Sequence, residues 1–407
     1  LALPAPCHQE KKEKNMHGVT GFVESAALLV FAAFVLVTIC SRIGVPSIVG
    51  YILAGIIIGP AGLGLIAESA ALSSIGEIGV VLLLFALGLE FSFEKLVTLR
   101  KHVFGLGAVQ VSVTTITVSL VASLVFDLAS VSAILIGGAV AMSSTAMCLK
   151  VLAGANALGS AHGRLAIAVL LFQDLAAVAF LLLHDAMSGA AEGYGVITVI
   201  ASATAVVAAL FIARGPLQVL ARWVALRGDP ELAQLLALTI ALGSTIVATS
   251  AGLSPALAAF ATGMIIGEGD ARHAVENEIR PFRDLLVGIF FIGIGTQLPL
   301  WILPSQWPAV LVWLAIILCG KTLIVFVVAR LFGEALQTSL RTGVILANGG
   351  EFSLMLLSVS STSGTVAEEF AGPLLLAIGV SMLAGSLMIR WAGSGLGPID
   401  TTTQGGN

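Results

Sequence analysis

Ala139-Val140-Ala141-Met142-Ser143-Ser144-Thr145-Ala146-Met147 reads as an apolar span with three hydroxyls at its centre. About 208 residues further on stands Ala347-Asn348-Gly349-Gly350-Glu351-Phe352-Ser353-Leu354-Met355, again apolar at its ends and polar in the middle. At the same offset Gly55-Ile56-Ile57-Ile58-Gly59 falls on Gly263-Met264-Ile265-Ile266-Gly267. With one residue less, Leu84-Phe85-Ala86-Leu87-Gly88 meets Phe291-Ile292-Gly293-Ile294-Gly295. Three matches in order at nearly one offset predict an internal repeat. Glycines and hydroxyls at mid-span permit unwound backbone, whose carbonyls and helix ends can ligate a dehydrated ion. Two such segments at equivalent positions predict two broken helices that cross. For any one of these residues, close helix packing through small side chains is the competing reading.

The rest of the chain is built for lipid. Of its 407 residues 58% are hydrophobic and only 10% charged, with a mean hydropathy of +1.06, far from the soluble range. The net charge of -4 says little, because in a membrane protein the charges beside and inside the spans carry the information. Apolar runs of spanning length lie near 20-40, 46-60, 72-91, 103-126, 130-152, 164-184, 195-213, 231-250, 253-268, 282-298, 306-332, 342-359 and 368-392. They predict an all-α membrane fold of about thirteen transmembrane helices, with polar tails at 1-19 and 393-407 around a membrane domain at 20-392.

Apart from Lys11, Lys12 and Lys14 in the N-terminal tail, which Glu10 and Glu13 partly offset, the lysines and arginines at the span ends sort to one side. Arg42, Lys95, Arg100, Lys101, Lys150, Arg164, Arg214, Arg222, Arg227, Arg272, Arg280, Arg283, Arg330, Arg341 and Arg390 follow or flank odd spans. The connections after even spans carry Glu68, Asp127, Asp185, Glu192, Glu368 and Glu369 instead. The positive side faces the cytoplasm, so the N-terminus is expected outside and the C-terminus inside. Span 2 then runs outward and span 9 inward, which makes the repeats inverted. The four cysteines lack metal or disulfide spacing, and the first residues lack the apolar stretch of a signal peptide.

Ionisable residues at mid-membrane depth cost about 2.5-3.5 kcal/mol each on insertion scales, so they mark function by default. Three qualify. Asp174 lies in Leu170-Leu171-Phe172-Gln173-Asp174-Leu175-Ala176, Lys321 lies inside span 11, and Glu351 follows Asn348-Gly349-Gly350 in span 12. A carboxylate that holds either a proton or a small cation suits exchange, because each occupant excludes the other. The alternative for Asp174 is a structural ion pair with Lys321. Lys321 is expected to act as a counter-charge, with proton carriage and snorkelling to the interface as the competing roles. Gln110 in span 4 reads as a bond to another span or to the ion region. The histidines at span ends, His184 among them, read as solvated interfacial residues. No metal, nucleotide or hydrolase motif occurs, which predicts a protein that is not an enzyme, needs no cofactor and binds no nucleic acid.

Phe172-Gln173-Asp174-Leu175-Ala176-Ala177, with Ser143-Ser144-Thr145-Ala146, resembles the Kef branch of the monovalent cation:proton antiporter-2 family. Gly88-Leu89-Glu90, His273-Ala274-Val275-Glu276 and Gly349-Gly350-Glu351-Phe352 agree with the pattern, which covers nearly all of 20-392. The resemblance implies a sodium/proton-antiporter-like fold, a homodimer in the bacterial cytoplasmic membrane, and elevator-like motion. It implies a monovalent cation, potassium or sodium, exchanged for protons at Asp174, with Gln173, Ser143, Ser144 and Thr145 at the site. Lys321, Asn348, Glu351 and Gln110 would support that site. A gated potassium efflux channel and a non-transporting membrane subunit are the competing functions. Kef proteins usually continue into a cytoplasmic nucleotide-binding domain that confers glutathione gating, whereas about fifteen polar residues follow the last span here, which puts such gating in doubt; a separate cytoplasmic regulatory subunit is a candidate partner. Ala179 stands near where relatives carry a proline.

Overall fold

The structure, a computed structural model, describes residues 26-395 except 44, 61, 66-69, 91-100, 189-195, 251-254, 270, 271 and 299. The tail at 1-19, all but the first three residues of the tail at 393-407, which the last helix takes up, and the loop charges Glu68, Lys95, Arg100 and Glu192 lie outside the described residues. Helices make up nearly everything else, as they must where no water is present to satisfy exposed main-chain groups. In chain order they are α1 (Ala26–Ile43), α2 (Ser47–Ile58), α3 (Ala70–Glu90), α4 (Ala108–Phe126), α5 (Ser130–Ala141), α6 (Thr145–Gly154), α7 (Ala161–Ser188) and α8 (Val196–Arg227). There follow α9 (Pro230–Ser250), α10 (Pro255–Gly267), α11 (Arg272–Gln297), α12 (Leu303–Ala315), α13 (Lys321–Leu331), α14 (Leu336–Ile345), α15 (Glu351–Thr362) and α16 (Glu368–Gly395). A π-helical segment, His102–Gly107, leads into α4, and another, Ile316–Gly320, joins α12 to α13.

Taken across their interruptions, the described helices make thirteen passes, one for each apolar run in the sequence. Among the described residues, seven stretches are long and apolar enough to cross a membrane by themselves, and shorter apolar helices lie at Ser47–Ile58, Ile75–Leu89 and Ala258–Gly267. Two boundaries differ from the sequence reading by ten residues or more. α8 continues past 213 to Arg227 with Pro216 inside it, and α11 begins ten residues before 282, at Arg272. Both extensions carry arginines, and Arg272 pairs with Glu276 at 3.5 Å, one helical turn on. A hydropathy reading ends at the edge of the apolar layer, whereas the helix need not.

The passes sort into two groups by packing. α2, α3, α9, α10 and α11 lie against one another, and Leu29 and Ala33 of α1 join Ala54, Ile58 and Ile292. α4, α5, α7 and α12 to α16 form the second group, while α8 touches both α7 and α10. Contacts between glycines reproduce the repeat. A Cβ on Gly55 would collide with the Ile292 carbonyl and stand 2.8 Å from the Cα of Gly295. One on Gly263 would collide with the Phe85 carbonyl and stand 3.1 Å from the Cα of Gly88. The repeat sends 55 to 263 and 88 to 295, so each of these crossings is the image of the other.

Helix α5 stops at Ala141 because Met142 (φ -80, ψ 146) is extended, and Ser144 (φ -74, ψ 108) starts α6 with its own side chain accepting from the Met147 N–H at 3.3 Å. Helix α14 stops at Ile345, and Gly350 (φ -125, ψ 173) precedes α15. The two interruptions touch. A Cβ on Gly350 would lie 2.7 Å from both the carbonyl carbon and the oxygen of Ser143.

Candidate functional site

Where two broken helices cross, four helix ends meet with unsatisfied main-chain groups, and each end carries about half an elementary charge. The sequence supplies a partner for each kind of end. Lys321, 1% exposed, extends its ammonium to the carbonyl of Met142 at 2.5 Å and that of Asn348 at 2.9 Å. These are the carbonyls just beyond the C-terminal ends of α5 and α14, where negative partial charge collects. At the opposite, positive ends stand acids. Asp174 lies at the start of α6, where the Thr145 hydroxyl donates to its Oδ1 at 3.1 Å, and Glu351 is the first residue of α15.

The crossing is sewn together by side chains from both breaks. Ser143 donates its hydroxyl to the Leu346 carbonyl at 2.9 Å, and the Ser144 N–H donates to Asn348 Oδ1 at 2.8 Å. Asn348 in turn donates from Nδ2 to the Ile345 carbonyl at 2.8 Å, capping α14. Ser353 Oγ accepts from the Gly350 N–H at 3.1 Å, and Ser381 of α16 accepts from the Gly349 N–H at 2.9 Å. The N–H groups of Ser143, Ser144, Gly349 and Gly350 and the carbonyls of Met142, Leu346 and Asn348 are thus paired inside protein, as irregular backbone at membrane depth requires.

Gln173 and Gln110 belong to the same lattice. The Ser143 N–H donates to Gln173 Oε1 at 2.8 Å, Gln173 Nε2 donates to Gln110 Oε1 at 2.8 Å, and Gln110 Nε2 reaches Thr114 Oγ1 at 3.1 Å and the Ala141 carbonyl at 3.3 Å. Both faces of the Gln173 amide are therefore engaged in fixing the break beside Asp174. Of the residues read from the sequence as cation-binding, Thr145 touches Asp174 directly. Ser143, Ser144 and Gln173 build the frame that positions the pair. Asp174 itself is 7% exposed on the uninterrupted helix α7.

Three features were not read from the sequence. The first is that Lys321 serves main-chain carbonyls of both breaks, for which its position after Gly320 gave no signal. The second is His184, expected to be a solvated interfacial residue. It is 3% exposed, with Nε2 2.8 Å from Ser363 Oγ and Nδ1 3.3 Å from Asp185 Oδ1. Its helix end is covered by the turn before α16, a tertiary contact that local sequence does not announce. Ser381, in the last pass, was likewise silent in the sequence.

Removing the Lys321 donors should be costly. Lys321→Met leaves two buried carbonyls without their charged partner, and at about 1.5-3 kcal/mol for each hydrogen bond to a charged group the loss is on the order of 3-6 kcal/mol. Thermal unfolding in detergent reads this; a midpoint equal to wild type would show that the ammonium does not hold the crossing. Lys321→Gln, which keeps two N–H donors, should fall between.

Known proteins share this architecture. The sodium proton antiporter MjNhaP1 of Methanocaldococcus jannaschii at pH 8 superposes with a TM-score of 0.68 at 19% identity, over 92% of this chain and 96% of that one. An electron-microscopy map of the same protein gives 0.65 at 16%. In sequence, K(+) efflux antiporters 1 and 2, chloroplastic, of Arabidopsis thaliana are each 36% identical over 366 residues, 87% of this chain. That alignment takes up 31% of either relative, so the chain spans about a third of their length. The transmembrane sodium/hydrogen exchanger family matches residues 29–394. With so much of its length matched, this multi-pass membrane chain belongs to the sodium/hydrogen exchanger family.

Proposed function

We propose that the chain exchanges a monovalent cation for protons, with potassium the preferred cation and Asp174 the residue that both compete for. The observation that carries the reading is the Asp174 carboxylate, buried at the positive end of a half-helix and hydrogen-bonded to Thr145, beside a crossing held together by side chains from both breaks. A cation arriving there meets two carboxylate oxygens and one hydroxyl; a proton arriving there neutralises the same carboxylate. Potassium is favoured over sodium because the relatives at 36% identity are named K(+) efflux antiporters, whereas the sodium antiporter shares the fold at 19%. The exchanging unit is residues 20-392. It works as a homodimer in the bacterial cytoplasmic membrane, N-terminus outside, with the cations of the loops on the inner face. The group holding the crossing moves against the group of α2, α3, α9, α10 and α11, with α8 as the link.

The test is purified protein in liposomes with a lumenal pH dye, challenged in turn with lithium, sodium, potassium and rubidium. Proton movement driven by each cation gradient, strongest for potassium, is the expected result. Cation flux without proton movement would make the protein a channel, and a sodium maximum would reverse the substrate assignment.

Exchange should also be electroneutral. Gln173 puts an amide rather than a second acid beside Asp174, its oxygen accepting from Ser143 and its nitrogen donating to Gln110, and Lys321 is read as keeping its proton on the Met142 and Asn348 carbonyls; release of that proton on cation binding is the other route to a two-proton cycle. If Asp174 carries one proton or one monovalent cation on each leg, no net charge crosses. A two-proton cycle would couple to the potential by about 2.3 kcal/mol per 100 mV. Proton transport driven by a potential set independently of the ion gradients would overturn the one-to-one count.

A further inference from the structure

On the far side of the first helix group, away from the crossing, α1 stands off from α11. A crevice of about 490 Å³ opens between them, floored by α2, a volume in the range of small-molecule sites. Internal symmetry says that this gap is unusual. The repeat image of α1 is α9, of which 33% is buried in the protein, against 17% for α1. The first helix of one repeat is thus less packed against the protein than its image in the other.

The lining is graded along its length. At one end Leu29, Val30, Ala33, Phe34 and Ile292 form an apolar wall; at the other stand Thr38, Ser41 and Arg42. Leu29 and Arg42 are thirteen residues apart on one helix, so the crevice runs about 20 Å. That exceeds one leaflet of a hydrocarbon core about 30 Å thick, and Arg42 therefore sits at headgroup depth when Leu29 sits in the interior. Arg42 is exposed and makes no ion pair among the described residues. Toward the Arg42 end of the crevice α11 carries Arg280, Arg283 and Asp284, and the Asp284 carboxylate is already bonded to Arg283 at 2.8 Å and lies within 3.9 Å of Arg280.

We propose that this crevice is a binding site for one anionic phospholipid of the surrounding membrane, with an acyl chain against Val30, Ala33, Phe34 and Ile292 and the phosphate at Arg42. An apolar slot ended by an unpaired guanidinium matches an amphipathic anion, since guanidinium groups suit bidentate phosphate recognition. A zwitterionic lipid offers the same chain with a weaker headgroup, and a second copy of this chain would have to bring a carboxylate to Arg42. The site lies apart from Asp174 and does not depend on which ions are exchanged.

Delipidated full-length protein is titrated with palmitoyl-oleoyl phosphatidylglycerol or with the corresponding phosphatidylcholine, and thermal unfolding is followed. A ligand of the folded state raises the midpoint with concentration. The expected result is a larger rise with phosphatidylglycerol. Arg42→Gln should remove the difference between the two lipids, and Val30→Trp, which fills the slot from an exposed position, should remove the rise with both. Retention of the phosphatidylglycerol effect in both variants overturns the site. So does loss of dimer mass in Val30→Trp together with indifference of wild type to lipid, which would make the crevice an interface between copies.

Discussion

Asp174→Asn should abolish cation-driven proton movement, bringing it to the level of protein-free liposomes, while leaving the fold intact. The substitution keeps shape and keeps an oxygen for the Thr145 hydroxyl to donate to. What it removes is the capacity to take up a proton at neutral pH and to neutralise a bound cation, and both legs of the cycle need one of these. Stability should not fall. Replacing a buried charge with a neutral group of the same shape lifts a desolvation cost, so a midpoint equal to or above wild type is expected, with unchanged dimer mass. Loss of flux in a well-folded variant assigns the proton and the cation to one carboxylate. Substantial flux in that variant would take Asp174 out of the mechanism and leave Glu351, at the start of the other half-helix, as the acid to examine next.

The membrane fold was open to reading because lipid imposes strong rules on sequence. Every apolar run became a pass, and the glycines that matched at an offset of about 208 are the ones that let helices cross closely in the structure. The crossing was legible for the same reason: polar residues at mid-depth are scarce, so Ser143 to Thr145 and Asn348 to Glu351 stood out. Roles inside the crossing were less legible. Composition shows that Gln173 lies beside Asp174, but not that both faces of its amide are bound to Ser143 and Gln110. Nor does it show that Lys321 reaches the carbonyls of Met142 and Asn348, because main-chain acceptors carry no residue type. Helix ends outside the apolar layer, as in α8 and α11, are set by propensity and ion pairs that hydropathy ignores.

Gly350→Ala should be among the most damaging single-methyl changes in the chain. Backbone conformation is not the reason, since φ -125 is open to any residue. Space is. The new Cβ would stand 2.7 Å from the Ser143 carbonyl carbon and oxygen and 3.0 Å from the Ser144 nitrogen, all main-chain atoms that no rotamer change can move. Relief requires the two breaks to separate, and the bonds from Ser143 to Leu346 and from Ser144 to Asn348 span that gap at 2.9 and 2.8 Å. Overpacking of this kind costs about 1-3 kcal/mol, and each neutral hydrogen bond stretched beyond use adds about 0.5-1.5 kcal/mol. The sum, roughly 2-6 kcal/mol, is a large share of the stability of an ordinary domain. Exchange should suffer even where protein survives, because Thr145 and the frame around Asp174 hang on the same break. Gly379→Ala is the control: it lies in α16 with no heavy atom within 4 Å of its added Cβ, and alanine favours a helix over glycine by about 1 kcal/mol. Equal midpoints and equal flux for the two variants would mean that the crossing tolerates separation, and that the close approach of Gly350 to Ser143 is not what fixes the geometry at Asp174.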